Sequence, residues 1–133
     1  PERIIILDRF FVQAAFYTVY IEQEGQIMFI TIVGAQYYLG MDVFHISQKL
    51  ELRKDKENNA DTEAIKAVSD SGTTYGYVSN SVGTRAKGCN SAGFIYDTFV
   101  DSVSCIVRFI VDGKVIAEVL YPADKTVNKA MKK

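Results

Sequence analysis

The feature that most constrains the fold is a pair of β-rich runs joined by the dipeptide Asp112-Gly113. The runs are residues 103–111 and 114–121, and both are dominated by β-branched and aromatic residues, which are enriched in strands. An Asp-Gly connection favours a type I′ turn, because both of its central positions need a positive φ. The sequence therefore predicts a β-hairpin, and with it an antiparallel sheet.

Further strands are predicted upstream of this hairpin, from apolar runs and from period-two alternation. They are residues 28–34, 50–53, 64–68 and 75–78. Residues 70–73 suit a tight turn between the last two. A short helix is predicted over residues 81–87, capped by Ser79 or Asn80 and ended by Gly88. Six or seven short strands, with one or two small helices and no regular strand-helix alternation, predict a mainly β protein, an antiparallel barrel or sandwich.

The composition suits one packed domain without disulfides. The 133 residues are near the usual size of a single domain, and 48% of them are hydrophobic. Cys89 and Cys105 are too few for a disulfide framework, so we expect free thiols in a reducing compartment. The 15 Lys plus Arg nearly balance the 16 Asp plus Glu. No overall positive charge attracts a polyanion, and any nucleic-acid site must therefore be local.

The first 27 residues form an apolar arm whose fold the sequence leaves open. Asp8 and Arg9 divide the arm, whereas a membrane-spanning helix needs about 20 nearly uncharged residues. It also has no small-residue cleavage site, so neither a signal peptide nor a membrane span is expected and the protein is placed in the cytoplasm. Residues 17–22 are rich in strand formers, but residues 10–20 fit a buried helix equally well. The expected division is an arm (1–27), a β domain (28–121) and a basic tail (122–133).

The polar stretch between the second and third predicted strands is a poor match to known metal-binding patterns. Oxygen-bearing residues alternate from Asp55 to Glu63 as in a calcium-binding loop. However, Ala60 and Lys66 stand where that loop requires a glycine and a bidentate carboxylate. A magnesium-dependent nuclease would need Glu63 and Lys66 to cooperate, and their odd spacing beside a strand places them on opposite faces.

Other catalytic patterns are equally incomplete. Gly83 and Gly88 have the spacing of a phosphate-binding loop, but Cys89 and Asn90 replace its lysine and its serine or threonine. His45 is the only histidine, which excludes a zinc site built on paired histidines. A dyad of His45 with a cysteine stays open, without local support. We therefore expect a protein that is not an enzyme and that holds no metal or cofactor.

Several residues instead suit binding. Tyr37 and Tyr38 are adjacent just after a predicted buried strand, where aromatic rings can stack on unpaired bases at about 1 to 3 kcal/mol per base. One of the two could equally be a core residue. Arg85 and Lys87, with Lys54 and Lys56, fit phosphate contacts and an exposed charged face equally well.

An ordered set of residues in the stretch ELRKDKENNADTEAIKAV, followed by Gly72 and YGYV, resembles the HIRAN domain family. The matching residues are Leu52, Asn58, Asp61, Ala64, Ile65, Val68, Gly72, Gly76, Tyr77 and Val78. Upstream, Val33, Gly34, Tyr37, Tyr38 and Gly40 resemble the opening strand and aromatic loop of that family. The resemblance covers about residues 28–119. It implies a modified OB-like β-barrel and, from members attached to DNA-remodelling enzymes, a place in DNA repair as a holder of the 3′ end of single-stranded DNA.

The resemblance also implies roles for individual residues. Tyr37 and Tyr38 would stack on the terminal bases, and Asp61 would accept a hydrogen bond from the 3′ hydroxyl. Asn58 and Tyr77 would line the pocket. A carboxylate suits this task, because it accepts a hydrogen bond from a hydroxyl and repels a terminal phosphate.

Three departures from the family pattern predict weaker binding. Gln36 stands where the DNA-binding members have arginine, Ala60 replaces a tyrosine, and Asn80 replaces a basic residue. The loss of two charges predicts binding that is also less sensitive to salt. Phe94 stands where a basic residue is expected, and an exposed phenylalanine suits a protein contact.

The sequence thus predicts a non-catalytic nucleic-acid-binding module, for single-stranded DNA or its 3′ end. Its predicted site consists of Gln36, Tyr37, Tyr38, Asn58, Asp61, Tyr77, Asn80, Arg85 and Lys87. The alternative is a protein-interaction module, or one that forms a homo-oligomer through the arm, without DNA binding.

Overall fold

The computed structural model describes residues 27–122. Its strands are β1 (Phe29–Val33), β2 (Lys49–Lys54), β3 (Ile65–Val68), β4 (Thr74–Val78), β5 (Ser102–Val111) and β6 (Lys114–Leu120). One short α-helix, α1, spans Ala92–Ile95, and 3-10 turns span Ala35–Tyr37, Met41–Val43 and Tyr96–Thr98. No helix within the described range is long and apolar enough to cross a bilayer. The predicted arm (1–27) and basic tail (122–133) lie outside this range, except for residues 27 and 122.

The six strands form one closed antiparallel barrel in the order β1-β4-β3-β2-β5-β6. β1 pairs with both β4 and β6, and this pairing closes the sheet on itself. Closure leaves none of these six strands with an unpaired edge, which removes the usual template for edge-to-edge association between them. The prediction of a small, mainly β barrel is confirmed.

The β5–β6 hairpin forms where the sequence predicts it. Val111 pairs with Lys114, and the two residues between them have positive φ, 52° at Asp112 and 76° at Gly113. Positive φ at both central positions is what a type I′ turn requires. A bulge between Val107 and Phe109 interrupts the register further along the hairpin.

Period-two alternation of side chains explains β2, and a turn glycine explains the β3–β4 pair. Leu50 and Leu52 are buried, whereas Glu51 and Arg53 between and after them are half-buried on the outer side. β3 and β4 are joined by a turn in which Gly72 has φ 87°. Each predicted strand is present, with its ends shifted by only a residue or two.

The core lies inside the barrel and is filled by aliphatic side chains from every strand. Its most buried members are Ile30, Ile32, Leu52, Ile65, Ala67, Cys105, Val107, Val115 and Ala117, joined by Ala92 and Ile95 of α1. Cys89 and Cys105 are both free thiols. Burial raises the pKa of the Cys105 thiol to about 12, so this cysteine stays protonated and unreactive at neutral pH.

The predicted helix over residues 81–87 is wrong. The segment consists of turns, with one helix-like hydrogen bond from the Arg85 amide to the Ser81 carbonyl. The Ser79 amide donates instead to the Thr31 carbonyl of β1, at 2.7 Å, and the Asn90 amide donates to the Phe29 carbonyl. Within the predicted helix itself, the Ala86 amide donates to the Thr31 hydroxyl of β1 rather than to a helical carbonyl. The helix begins later, at Ala92, where Ser91 accepts a hydrogen bond from the Phe94 amide.

Candidate nucleic-acid interface

The two adjacent tyrosines lie on the turn that follows β1. Gly34, with φ 80°, ends the strand and lets the chain enter the 3-10 turn. Tyr37 is 78% exposed and Tyr38 is 44% exposed, while Ala35 takes the buried position of the turn. Neither tyrosine is therefore a core residue. Gln36 lies exposed between Ala35 and Tyr37.

Tyr38 packs against Tyr77 of β4. The ring centroids are 6.2 Å apart and the planes are inclined by 37°. This contact depends on a close approach of β1 and β4 at Gly76, where a Cβ atom would lie 2.7 Å from the Val33 carbonyl oxygen. Only glycine permits that approach without displacing a backbone. The Gly-aromatic step of the sequence motif thus places a second ring beside the Tyr37 and Tyr38 turn.

Tyr77 is held in turn by Asp55, at the end of β2. The Tyr77 hydroxyl donates a hydrogen bond of 2.5 Å to Asp55 Oδ2. Burial, the hydrogen bond and the negative charge of Asp55 together raise the pKa of the Tyr77 hydroxyl above its usual value. The Tyr77 hydroxyl donates its proton in the hydrogen bond to Asp55, so the Tyr77 ring has a fixed orientation. Tyr38 packs against this ring.

The loop between β2 and β3 is organised by its own side chains. Asn58 Oδ1 accepts hydrogen bonds from the amides of Ala60 and Asp61, both at 2.9 Å. The amide of Asp55 donates to the Ala64 carbonyl at 2.8 Å and closes the loop. Side chains of Asn commonly satisfy backbone amides in this way. Asn58 therefore shapes the loop that presents Asp61.

Asp61 is connected to the segment after β4. Its Oδ1 accepts from the Glu63 amide at 2.9 Å, and the Asn80 side-chain nitrogen lies 3.1 Å from its Oδ2. Asn80 Oδ1 accepts from the Gly93 amide of α1 at 2.9 Å. The loop, the end of β4 and the helix meet at this point.

A chain of contacts thus links most of the predicted site. Tyr38 contacts Tyr77, Tyr77 contacts Asp55, and the Asp55 loop presents Asp61 beside Asn80. No described hydrogen bond joins the side chains of Arg85 or Lys87 to these residues. Arg85 lies near Cys89, whose thiol pKa is raised by burial, an effect that the hydrogen bond with Thr31 and the positive charges of Arg85 and Lys114 reduce.

Two lysines that fit phosphate contacts by sequence are engaged elsewhere. The Lys54 ammonium lies 4.2 Å from the centroid of the Tyr96 ring and 5.1 Å from that of Phe99. Lys56 forms an ion pair with Asp101 at 2.8 Å. Both cations help to hold the segment after α1 against the end of β2.

Asp55 and Lys66 border the site but are absent from the predicted set. Lys66 of β3 is the direct cross-strand neighbour of Tyr77 and, on its other side, of Arg53. Arg53 is tied to Glu51 at 2.9 Å, whereas Lys66 has no ion pair with a described residue. Strand alternation places Lys66 on the outer face, but its position beside Tyr77 depends on a register that alternation alone does not give.

The carboxylates of the loop already have other partners. Asp55 accepts from Tyr77, and Asp61 accepts from Asn80 and from the Glu63 amide. Between residues 27 and 122, no three His, Cys, Asp or Glu side chains are grouped so that they could hold a metal ion.

Comparisons with known proteins identify one family that this chain matches. The model of the HIRAN domain matches residues 26–95. The crystal structure of the HIRAN domain of human HLTF is similar, with 20% identity over 70% of this chain and 74% of that one, at a TM-score of 0.49. A crystal structure of a protein from Lactobacillus plantarum is similar with 14% identity over 71% and 93% of the two chains, at a TM-score of 0.49. No curated protein matches. Because the family model covers more than half of the 133 residues, and every predicted site residue, this chain belongs to the HIRAN domain family.

Proposed function

We propose that this chain is a non-catalytic nucleic-acid-binding module that holds the 3′ end of single-stranded DNA. One observation carries the proposal: the exposed Tyr37 and Tyr38 turn is linked through Tyr77 and Asp55 to the loop that presents Asp61. Membership of the HIRAN family supports nucleic-acid binding in general. The site supplies the two kinds of group that an end of a single strand needs, a stacking surface and a hydroxyl acceptor.

The stacking surface is preformed. Tyr37 presents most of its ring to solvent, and Tyr38 is supported from behind by the fixed ring of Tyr77. Each stacked base contributes about 1 to 3 kcal/mol, without preference for sequence. Because Tyr77 is already ordered by Asp55, little side-chain entropy is lost there when a base binds.

The Asp61 carboxylate provides selectivity for the end. It can accept a hydrogen bond from a 3′ hydroxyl, whereas a terminal phosphate at about 4 Å would be repelled by roughly 1 to 4 kcal/mol, depending on solvent access. Charge-assisted hydrogen bonds are about twice as strong as neutral ones. The site therefore favours a free 3′ hydroxyl.

Affinity should be modest and only weakly dependent on salt. Gln36 and Asn80 are neutral, so the phosphates of the strand would be contacted by Arg85, by Lys87 and by Lys66, the cross-strand neighbour of Tyr77. Each phosphate contact on a single strand adds roughly 0.7 to the slope of log affinity against log salt. Three such contacts would give a slope of about 2.

Fluorescence anisotropy with a labelled single strand tests the proposal. At low salt, we expect the strand with a 3′ hydroxyl to bind about tenfold more tightly than the same strand with a 3′ phosphate, as 1.4 kcal/mol corresponds to tenfold. Tyr38→Ala should weaken binding to both strands, and Asp61→Asn should reduce the preference. Asp70→Asn, on the exposed β3–β4 turn, is the matched charge control. Equal affinity for both strands, or no binding at low salt, would rule the proposal out.

A protein-interaction or self-associating module is the second candidate function. It is favoured by exposed apolar side chains on two parts of the surface: Phe94 of α1, which is 60% exposed, and Phe109, Ile110 and Val111 near the hairpin tip. Light scattering of the full chain, of a chain without residues 1–26 and of Phe94→Ser would test it. A monomer in every case argues against self-association through the arm.

A further inference from the structure

The resemblance to the HIRAN family leads us to expect a basic residue at position 80, but the contacts of Asn80 are not those of a phosphate ligand. We infer that Asn80 is a positioning residue, which fixes the Asp61 carboxylate and thereby sets the discrimination between a 3′ hydroxyl and a 3′ phosphate. The inference rests on the proposed function and deepens it. It begins with the two partners of the Asn80 side chain, Asp61 and Gly93.

The amide of Asn80 has a defined orientation. The Gly93 amide can only donate, and it lies 2.9 Å from Asn80 Oδ1. The other end of the Asn80 side chain must then be the NH₂ group, which lies 3.1 Å from Asp61 Oδ2 and 3.4 Å from Oδ1. A carboxylate can only accept, so both contacts agree on one orientation.

Gly93 makes this arrangement possible. A Cβ atom at residue 93 would lie 3.3 Å from Asn80 Oδ1 and 2.5 Å from Glu63 Oε1. Glu63 is exposed and its side chain can move, but Asn80 is held from both ends. The bare backbone of the first turn of α1 thus approaches Asn80 closely enough to donate its amide hydrogen.

The Asp61 carboxylate is anchored on both oxygens and still has room for a ligand. Oδ1 accepts from the Glu63 amide, and Oδ2 accepts from Asn80. Each carboxylate oxygen can accept about two hydrogen bonds, so one site on Oδ2 stays available for a hydroxyl. Both anchoring donors are neutral, and no described residue forms an ion pair with Asp61 that would offset its negative charge.

Because Asn80 is neutral, it affects how strongly Asp61 distinguishes a 3′ hydroxyl from a 3′ phosphate. A lysine at this position would bring a positive charge next to Asp61, which would attract a terminal phosphate and offset the repulsion from the carboxylate. Asparagine positions the carboxylate without that attraction. The same residue therefore lowers overall affinity and raises the preference for a free hydroxyl.

The test measures the ratio of affinities for the 3′-hydroxyl and 3′-phosphate strands, in the full chain. Asn80→Leu removes the donor, and we expect the ratio to fall by about threefold to tenfold, toward equal affinity for the two strands, which is the size of the net contribution of one ordinary hydrogen bond. Asn80→Lys should raise the affinity for both strands and still lower the ratio. Asn59→Leu is the matched control, because Asn59 lies in the same loop as Asp61 and has no described side-chain hydrogen bond; it should leave the ratio unchanged.

The outcomes separate the inference from the function on which it rests. If the wild-type chain discriminates and Asn80→Leu keeps the same ratio, or if Asn59→Leu lowers it equally, the positioning role is wrong and the DNA-end function stands. If the wild-type chain does not discriminate, the DNA-end function itself fails and the inference fails with it. Thermal unfolding of each variant checks that it is folded, and Asn80→Ala replaces Asn80→Leu if the latter is not.

Discussion

Two polar segments flank the candidate site, and the structure holds them in different ways. The 55–64 loop, between β2 and β3, is shaped by its own side chains, with Asn58 and Asp61 accepting hydrogen bonds from nearby amides. The 79–90 segment, after β4, has hydrogen bonds of its own and is also tied to β1, far away in the sequence, by the amides of Ser79, Ala86 and Asn90. The first was correctly predicted as a polar stretch between two strands, and residues 81–87 of the second were wrongly predicted as a helix.

The difference between the two segments shows which interactions can be recognised from the sequence. A side chain that caps an amide two or three residues away leaves a local signature, because Asn and Asp prefer such turns. A backbone amide that bonds to a distant strand leaves none. Ser79 and Asn80 look like helix caps in sequence, but in the structure Ser79 contacts Thr84, and Asn80 contacts Asp61 and Gly93.

The largest expected effect concerns the distant anchor of the 79–90 segment. Thr31 is fully buried, and its hydroxyl oxygen accepts from the Ala86 amide at 3.0 Å. Thr31→Val leaves that amide without its acceptor, so we expect a loss of about 1 to 3 kcal/mol in the free energy of unfolding, measured with urea. Thr62→Val, in the exposed part of the 55–64 loop, should change it by less than about 0.5 kcal/mol. Similar losses in both variants would contradict the long-range anchoring.

A smaller effect is expected for the local anchor of the 55–64 loop. Asn58→Ala removes the acceptor of the Ala60 and Asp61 amides, and we expect a loss of about 0.5 to 1.5 kcal/mol in the free energy of unfolding. Amide hydrogen exchange should accelerate at Ala60 and Asp61 and stay unchanged from residue 79 to 90. Asn59→Ala is the control. Faster exchange in both segments would mean that the two are not independently held.

Alkaline pH provides a third test, at the contact between the 55–64 loop and the tyrosines. The pKa of Tyr77 is raised in the folded chain above the ordinary phenol value of 10.0. Its stabilising contribution is therefore complete below that pH and declines as the pH rises beyond it. Compared with Tyr77→Phe, the wild-type chain should keep its full stability advantage in urea unfolding below a pH of about 10 and lose part of it as the pH rises from about 10 to about 12. A constant difference across this range would show that the bond to Asp55 does not govern the titration.

The smallest expected effect is on the salt dependence of DNA binding, and it decides which segment the strand follows. Lys66→Gln, next to Tyr77, should reduce the slope of log affinity against log salt by roughly 0.7 if Lys66 contacts a phosphate. Lys87→Gln is the same change on the 79–90 segment. A reduction in both variants places the strand across both regions, and no change in Lys66→Gln removes Lys66 from the proposed path.

Much of the fold, but less of the site, could be predicted from the sequence. The hairpin follows from Asp112-Gly113, the β3–β4 turn from Gly72, and the end of β1 from Gly34, because each needs a conformation that few residues adopt. Tyr37 and Tyr38 were correctly identified as neighbours after a strand. That neither is a core residue, and that Asp55 and Lys66 border the site, follows from strand register, which no local pattern carries.

The sequence by itself determined a mainly β barrel of the HIRAN family, since turn residues, alternation and an ordered motif are properties of neighbours along the chain. The tertiary structure decided that Asp55 orders Tyr77, and that Asn80 bridges Asp61 and Gly93. These contacts join the 55–64 loop to β4, to the segment after it and to α1, which are far apart in the sequence. Their geometry depends on the register of every pairing between them, so it exists only once the barrel has closed.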